Sequence, residues 1–124
     1  TGIIGLEAAS RGANPVDFID NHRKRLDWIR MISGKFSQTE LRFFPIDAFR
    51  YLNSLKQADI IFADPPYRLL TLREKESLIK FSLEKLSLNG RFILESHVKG
   101  ADFHCDQIRR YGDTRLMIWT KHAS

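Results

Sequence analysis

A chain of 124 residues, 43% of them hydrophobic, carries enough apolar surface for one core; this argues against two independent domains and predicts a single domain over residues 1–124. The lone cysteine, Cys105, excludes an internal disulfide and a cysteine-cluster metal site, and no apolar run approaches the roughly 20 residues that span a bilayer. Twenty basic against fifteen acidic residues leave a formal charge of +5, which favours anionic partners, so the expectation is a cytoplasmic protein with no membrane or metal association.

In chain order, "IIGLEAASRG" reads as a short helix of good formers closed by Gly12 in a left-handed cap. "VDFID" (16–20) is then a strand. Leu26, Ile29 and Ile32 recur at helical spacing within a charged segment, which predicts an amphipathic helix over 22–33 that stops at Gly34. "ELRFF" (40–44) is a second strand, and Ala48, Phe49, Leu52 and Leu55 mark a helix beginning near Asp47. "ADIIFA" (58–63) is apolar almost throughout, as suits a central parallel strand buried on both faces.

Between Arg73 and Ser87, Leu78, Ile79, Leu83 and Leu86 line one helical face, with Asn89-Gly90 as the stop. "RFILES" (91–96) is a further strand. "DQIRRY" and "TRLMIWTK" flank a Gly-Asp turn and predict an antiparallel hairpin at the sheet edge. Strands alternating with helices place the chain in the α/β class with a mostly parallel sheet. Two basic groups stand out, His22 to Arg30 and a second formed by Arg109, Arg110, Arg115 and Lys121; a solvated face and a nucleic-acid footprint both explain the first.

In open parallel sheets, ligands bind beyond the carboxyl ends of the strands, and four acids collect there: Asp20, Asp47, Asp64 and Glu95. A single acid after a strand is ordinarily a cap or a turn residue, so only their shared edge argues for a crevice. Gly2 precedes the first helix, where backbone N–H groups and the helix dipole favour an anion, and Asp20 follows at a separation near that between a nucleotide-binding glycine turn and a ribose-binding acid.

Asp64-Pro65-Pro66-Tyr67 is the most specific stretch. Two prolines fix φ, remove two donors and leave stiff carbonyl acceptors. Such a turn suits an exocyclic amine of a nucleobase. That nitrogen's lone pair is delocalised into the ring, and it must pyramidalise and gain positive charge to attack an electrophile. The Asp64 carboxylate and Pro65 carbonyl are placed to accept its two N–H bonds and to stabilise that charge, with Tyr67 stacked on the base.

These segments, "GIIGLEAASRGA", "VDFID", "DAFRYL", "DIIFADPPY", "GRFILES" and "YGDTRLMIW", resemble in order the S-adenosylmethionine-dependent methyltransferases of the bacterial 16S rRNA guanine-N2 type. "GLEAASRGA" singles out that group, while "DPPY" is shared with DNA adenine and cytosine methyltransferases. The resemblance implies a Rossmann-like class I methyltransferase sheet of seven strands with the hairpin at its edge, S-adenosyl-L-methionine as cofactor, and methylation of one guanine in 16S rRNA, on the RNA or on a partly assembled small subunit. It implies that Thr1 and Gly2 end the cofactor's glycine loop, that Asp20 holds the ribose hydroxyls, that Asp47 and Ala48 lie by the adenine, and that Asp64, Pro65, Pro66 and Tyr67 hold the target base.

The family places a strand and the first loop glycines upstream of the position of Thr1, so the expectation is an N-terminally truncated domain lacking its first central strand, and a monomer when full-length. An amino-methyltransferase acting on another base, such as N6-adenine, and a non-catalytic RNA-binding remnant are the rival readings.

Overall fold

In the computed structural model, which describes residues 3–34, 39–65 and 70–123, the elements in chain order are α1 (Ile3–Ser10), β1 (Val16–Ile19), α2 (Arg23–Ile32), β2 (Leu41–Phe44), α3 (Ala48–Ser54), β3 (Ala58–Ala63), α4 (Leu72–Lys85), β4 (Leu86–His97), β5 (Gln107–Tyr111) and β6 (Thr114–Thr120). They form two compact units that divide between Ser54 and Leu55.

In the first unit β1 and β2 pair in parallel, with Phe18 opposite Phe43 and their rings stacked at 5.2 Å. Leu26 and Ile29 of α2 join Phe18 in a core flanked by Leu6, Val16, Leu41 and Phe43. Each such side chain contributes roughly 1.5–3 kcal/mol by leaving water. Ile32, third in the expected stripe, is 36% exposed, because the helix closes there and Ser33 takes the buried place as its C-cap.

α1 ends as its sequence predicts. Gly12 has φ +102°, and the Ala13 and Gly12 N–H groups donate to the Ala8 and Ala9 carbonyls at 3.0 and 3.1 Å. Gly5 lets α1 approach β1, since a Cβ there would lie 2.4 Å from Phe18 Cε1. Asp17, beside Phe18 in β1, accepts Arg42 Nε at 2.6 Å and Nη2 at 3.0 Å, together with the Tyr51 hydroxyl, which ties β2 and α3 to β1.

The second unit is a four-stranded sheet in the order β3-β4-β6-β5, with β3 parallel to β4 and the β5–β6 hairpin antiparallel. Gly112 makes the hairpin turn at φ +59°, and β5 is the edge strand, as the Gly-Asp signal predicts. Phe92, Leu94 and Ser96 of β4 and Trp119, Met117 and Arg115 of β6 are paired across the strands and buried on one face, and α4, with Leu78 and Ile79 buried, packs on β4. α4 opens with a capping box: the Glu74 N–H donates to Thr71 Oγ1 at 3.1 Å, and the Thr71 N–H donates to Glu74 Oε1 at 3.2 Å.

Three expectations change here. α4 stops at Lys85, and Asn89-Gly90 lies inside β4, where the register jumps from Ala58–Leu86 to Ile60–Arg91 and Asn89 takes φ +66°. A Cβ on Gly90 would come within 2.9 Å of the Asp59 carbonyl oxygen, so the turn-like dipeptide serves a strand irregularity rather than a helix end. β3 is the other edge of this sheet, with β4 its one hydrogen-bonded neighbour and Ile60 63% exposed, so its apolar run is not covered on both faces within this unit. Arg115 leaves the carboxyl-terminal basic group: it is 1% exposed and donates to Ser96 Oγ at 3.0 Å and the Ala101 carbonyl at 2.7 Å while paired with Asp102. The six strands of the described residues are the six that the sequence predicts.

Candidate active site

The carboxyl end of β3 is set by its pairing with β4. Ala63 lies opposite Leu94, so the next step of the parallel register brings Asp64 beside Glu95. Asp64 is exposed, and Pro65 and Glu95 are half-buried. Burial pushes the Glu95 carboxyl above the usual carboxylate range, and the charge of Asp64 and a side-chain hydrogen bond with it push in the same direction. Pro66 and Tyr67, the remaining base-holding candidates, lie outside the described residues.

The cofactor candidates belong to the first unit. Asp20 follows β1, and its N–H donates to the Phe44 carbonyl at 3.2 Å, which holds it just beyond the strand end. Its Oδ2 accepts Arg25 Nε at 2.7 Å, while Oδ1 accepts Arg25 Nη2 at 3.0 Å and the His22 N–H at 2.8 Å. Burial raises the Asp20 carboxyl, but the Arg25 and His22 hydrogen bonds and charges outweigh it and leave the group below the usual range. A carboxylate has about four acceptor positions, so among the described residues one on Oδ2 has no donor.

Asp47 does what an acid before a helix ordinarily does: its Oδ2 accepts the Phe49 and Arg50 N–H groups at 3.0 and 3.2 Å, capping α3. Ala48 is the first residue of α3 and is exposed. Thr1 and Gly2 lie outside the described residues.

Two features escape sequence reasoning. Arg25 belongs to the basic run, yet its guanidinium is turned onto Asp20 across the entry to α2, at a spacing of five residues that no helical pairing rule flags. Along α4 and β6 an open groove of about 650 Å³, lined by Ile79, Leu83, Phe103, His104 and Trp119 among others, includes none of the four acids. Among the described residues no group of three or more His, Cys, Asp or Glu side chains is placed to hold a metal ion, and no helix is long and apolar enough to cross a membrane.

A family model described as conserved hypothetical protein 95 matches residues 1–120. The chain belongs to that family. Among curated proteins, ribosomal RNA small subunit methyltransferase D of Buchnera aphidicola (subspecies Baizongia pistaciae) is 30% identical over 80 residues, 64% of this chain, and the match spans 41% of that relative's length. A conserved hypothetical protein of Streptococcus pyogenes superposes with a TM-score of 0.84 at 20% identity, covering 98% of this chain and 80% of its own. An RNA methyltransferase from Salinibacter ruber, in complex with S-adenosyl-L-homocysteine, superposes with a TM-score of 0.75 at 14% identity, covering 99% of this chain and 76% of its own. At these identities the structural likenesses establish the fold alone, a Rossmann-like α/β architecture with an antiparallel hairpin at the carboxyl-terminal end.

Proposed function

We propose that this chain is the S-adenosyl-L-methionine-dependent methyltransferase domain of an rRNA-modifying enzyme that methylates the exocyclic N2 amine of a guanine in 16S rRNA. The observation that carries the reading is Asp64-Pro65 at the carboxyl end of β3, where a stiff acceptor turn meets the ligand-binding edge of a methyltransferase fold. The name of the Buchnera relative supplies the ribosomal RNA, and the ligand of the Salinibacter structure supplies the cofactor class.

In this reading the first unit holds the cofactor. The acceptor on Asp20 suits a ribose hydroxyl, and Asp47 and Ala48 at the start of α3 would border the adenine, with Thr1 and Gly2 read as the end of the cofactor's glycine loop. When bound, S-adenosyl-L-methionine supplies an electrophilic methyl group. The second unit holds the amine: the Asp64 carboxylate and Pro65 carbonyl accept its N–H bonds and turn the lone pair outward, while Tyr67 stacks on the base and Pro66 keeps the turn rigid. Residues 1–124 are read as a single domain, acting as a monomer in the cytoplasm on 16S rRNA or a partly assembled small subunit.

Transfer of labelled methyl groups by the full-length protein to naked 16S rRNA and to partly assembled subunits, followed by nucleoside digestion, is the test. Label in N2-methylguanosine is expected. Label in N6-methyladenosine would move the target to another base, and no label with intact RNA binding would leave the non-catalytic remnant.

A further inference from the structure

We propose that Glu95 is the proton-accepting partner of Asp64, taking up through it the proton that the target amine must lose when it is methylated. The inference rests on the functional reading above. Its geometry is that of two adjacent parallel strands, whose neighbouring backbones lie about 4.8 Å apart. Ala63 faces Leu94, so Asp64 and Glu95 are the next pair in register. Phe92, Leu94 and Ser96 are buried on one face of β4, and strand alternation puts Glu95 on the other, where Asp64 lies alongside.

Few other charges face Glu95. Across β4 its partner on β6 is Leu116, and Arg115, next to Leu116, is buried on the opposite face against Ser96 and Asp102. His97, two residues along β4 on the same face, is exposed. Asp64 is therefore the dominant electrostatic neighbour among the described residues.

The chemistry needs such a group. The amine nitrogen forms the N–CH₃ bond with its lone pair, and the electron pair of the broken S–CH₃ bond stays on sulfur. The nitrogen, now cationic, recovers neutrality when one N–H bonding pair returns to it and the proton moves to a carboxylate oxygen of Asp64. In the working form both carboxylates are ionised, and Glu95, next in register to Asp64, takes the proton from it and releases it to solvent from its half-buried position. A carboxylate whose proton affinity is raised by burial and by a like charge is a better acceptor than an ordinary one. The device resembles two carboxylates sharing a proton, with one of them touching the substrate.

Two measurements on the full-length protein test it. The first needs no substrate: carboxyl carbons are followed by NMR through a pH titration. Glu95 should titrate above the ordinary range and move down in Asp64→Asn; an unmoved Glu95 overturns the coupling. The second compares single-turnover methylation profiles. Wild-type activity should fall as pH drops through the raised Glu95 pKa, and Glu95→Gln, which keeps the shape, should be at least about tenfold slower with its acid limb displaced to lower pH. Methylation by Glu95→Gln at the wild-type rate with the same acid limb overturns the relay and leaves the functional reading intact. Absence of methylation by the wild-type protein overturns the reading, and the relay with it.

Discussion

Arg25 donates two hydrogen bonds to the Asp20 carboxylate, Nε to Oδ2 at 2.7 Å and Nη2 to Oδ1 at 3.0 Å, and so holds the acid after β1 by its own helix. The pair makes Asp20 an oriented acceptor with one position that has no donor among the described residues. Asp20→Ala should weaken S-adenosyl-L-methionine binding by about 10- to 100-fold, the value of a hydrogen bond to a charged group. Arg25→Ala, which leaves the acceptor but frees its rotation, should cost less. Titration calorimetry on both variants checks the order; equal losses would mean that the pair acts as one unit.

The same pair divides the basic run. Arg25 is committed to Asp20, whereas Arg23 and Lys24 are exposed on the first turn of α2. If this surface meets RNA phosphates, replacing Arg23 and Lys24 by neutral residues should flatten the salt dependence of RNA binding, by up to about 0.9 in slope for each duplex phosphate no longer neutralised. Binding measured across a salt series reads this directly, and an unchanged slope would return α2 to the role of a solvated face.

Glu95 and Asp20 have opposite effects on stability with pH. The folded-state pKa of Glu95 is raised, so its contribution is present below the ordinary carboxylate value and is lost as pH rises through the folded pKa. That of Asp20 is lowered, so its contribution is present above the ordinary value and is lost as pH falls through the folded pKa. Glu95→Gln should therefore be more stable than wild type at neutral pH and lose that advantage towards about pH 4. Urea unfolding across the range tests the sign.

Gly5→Ala should destabilise the first unit. The added Cβ meets the Phe18 ring at 2.4 Å, and Phe18 is fixed by Phe43, Leu26 and Ile29. Overpacking of this kind costs about 1–3 kcal/mol. A lowered denaturant midpoint with an unchanged slope is the expected result.

Much of this fold is legible in the residues alone. Periodicity locates β1, β2, β3 and the hairpin because strand and helix patterns differ in period, and Gly12 announces its own left-handed cap. The acids after the strands are visible as a set, but spacing alone does not separate Asp47, a helix cap, from Asp64, which meets another acid. Asn89-Gly90 misleads because the same left-handed preference serves a helix end and a strand irregularity equally well. Arg115 reads as surface charge because its partners Asp102 and Ser96 reach it only through the folded sheet. The exposure of Ile60 is hidden for a similar reason: an apolar run reports what a strand is able to bury, not which neighbours cover it.

The assignment of Asp64 to the target amine is tested most directly by measuring two quantities on Asp64→Ala in the full-length protein, the single-turnover rate of methyl transfer to small-subunit rRNA and the affinity for S-adenosyl-L-methionine. Removing one preorganised electrostatic partner costs about 2.7–4 kcal/mol in the transition state, so the rate should fall by ~10²–10³ while cofactor affinity changes much less. Loss of both by the same factor would make Asp64 a ligand of the cofactor and contradict its place beside the amine.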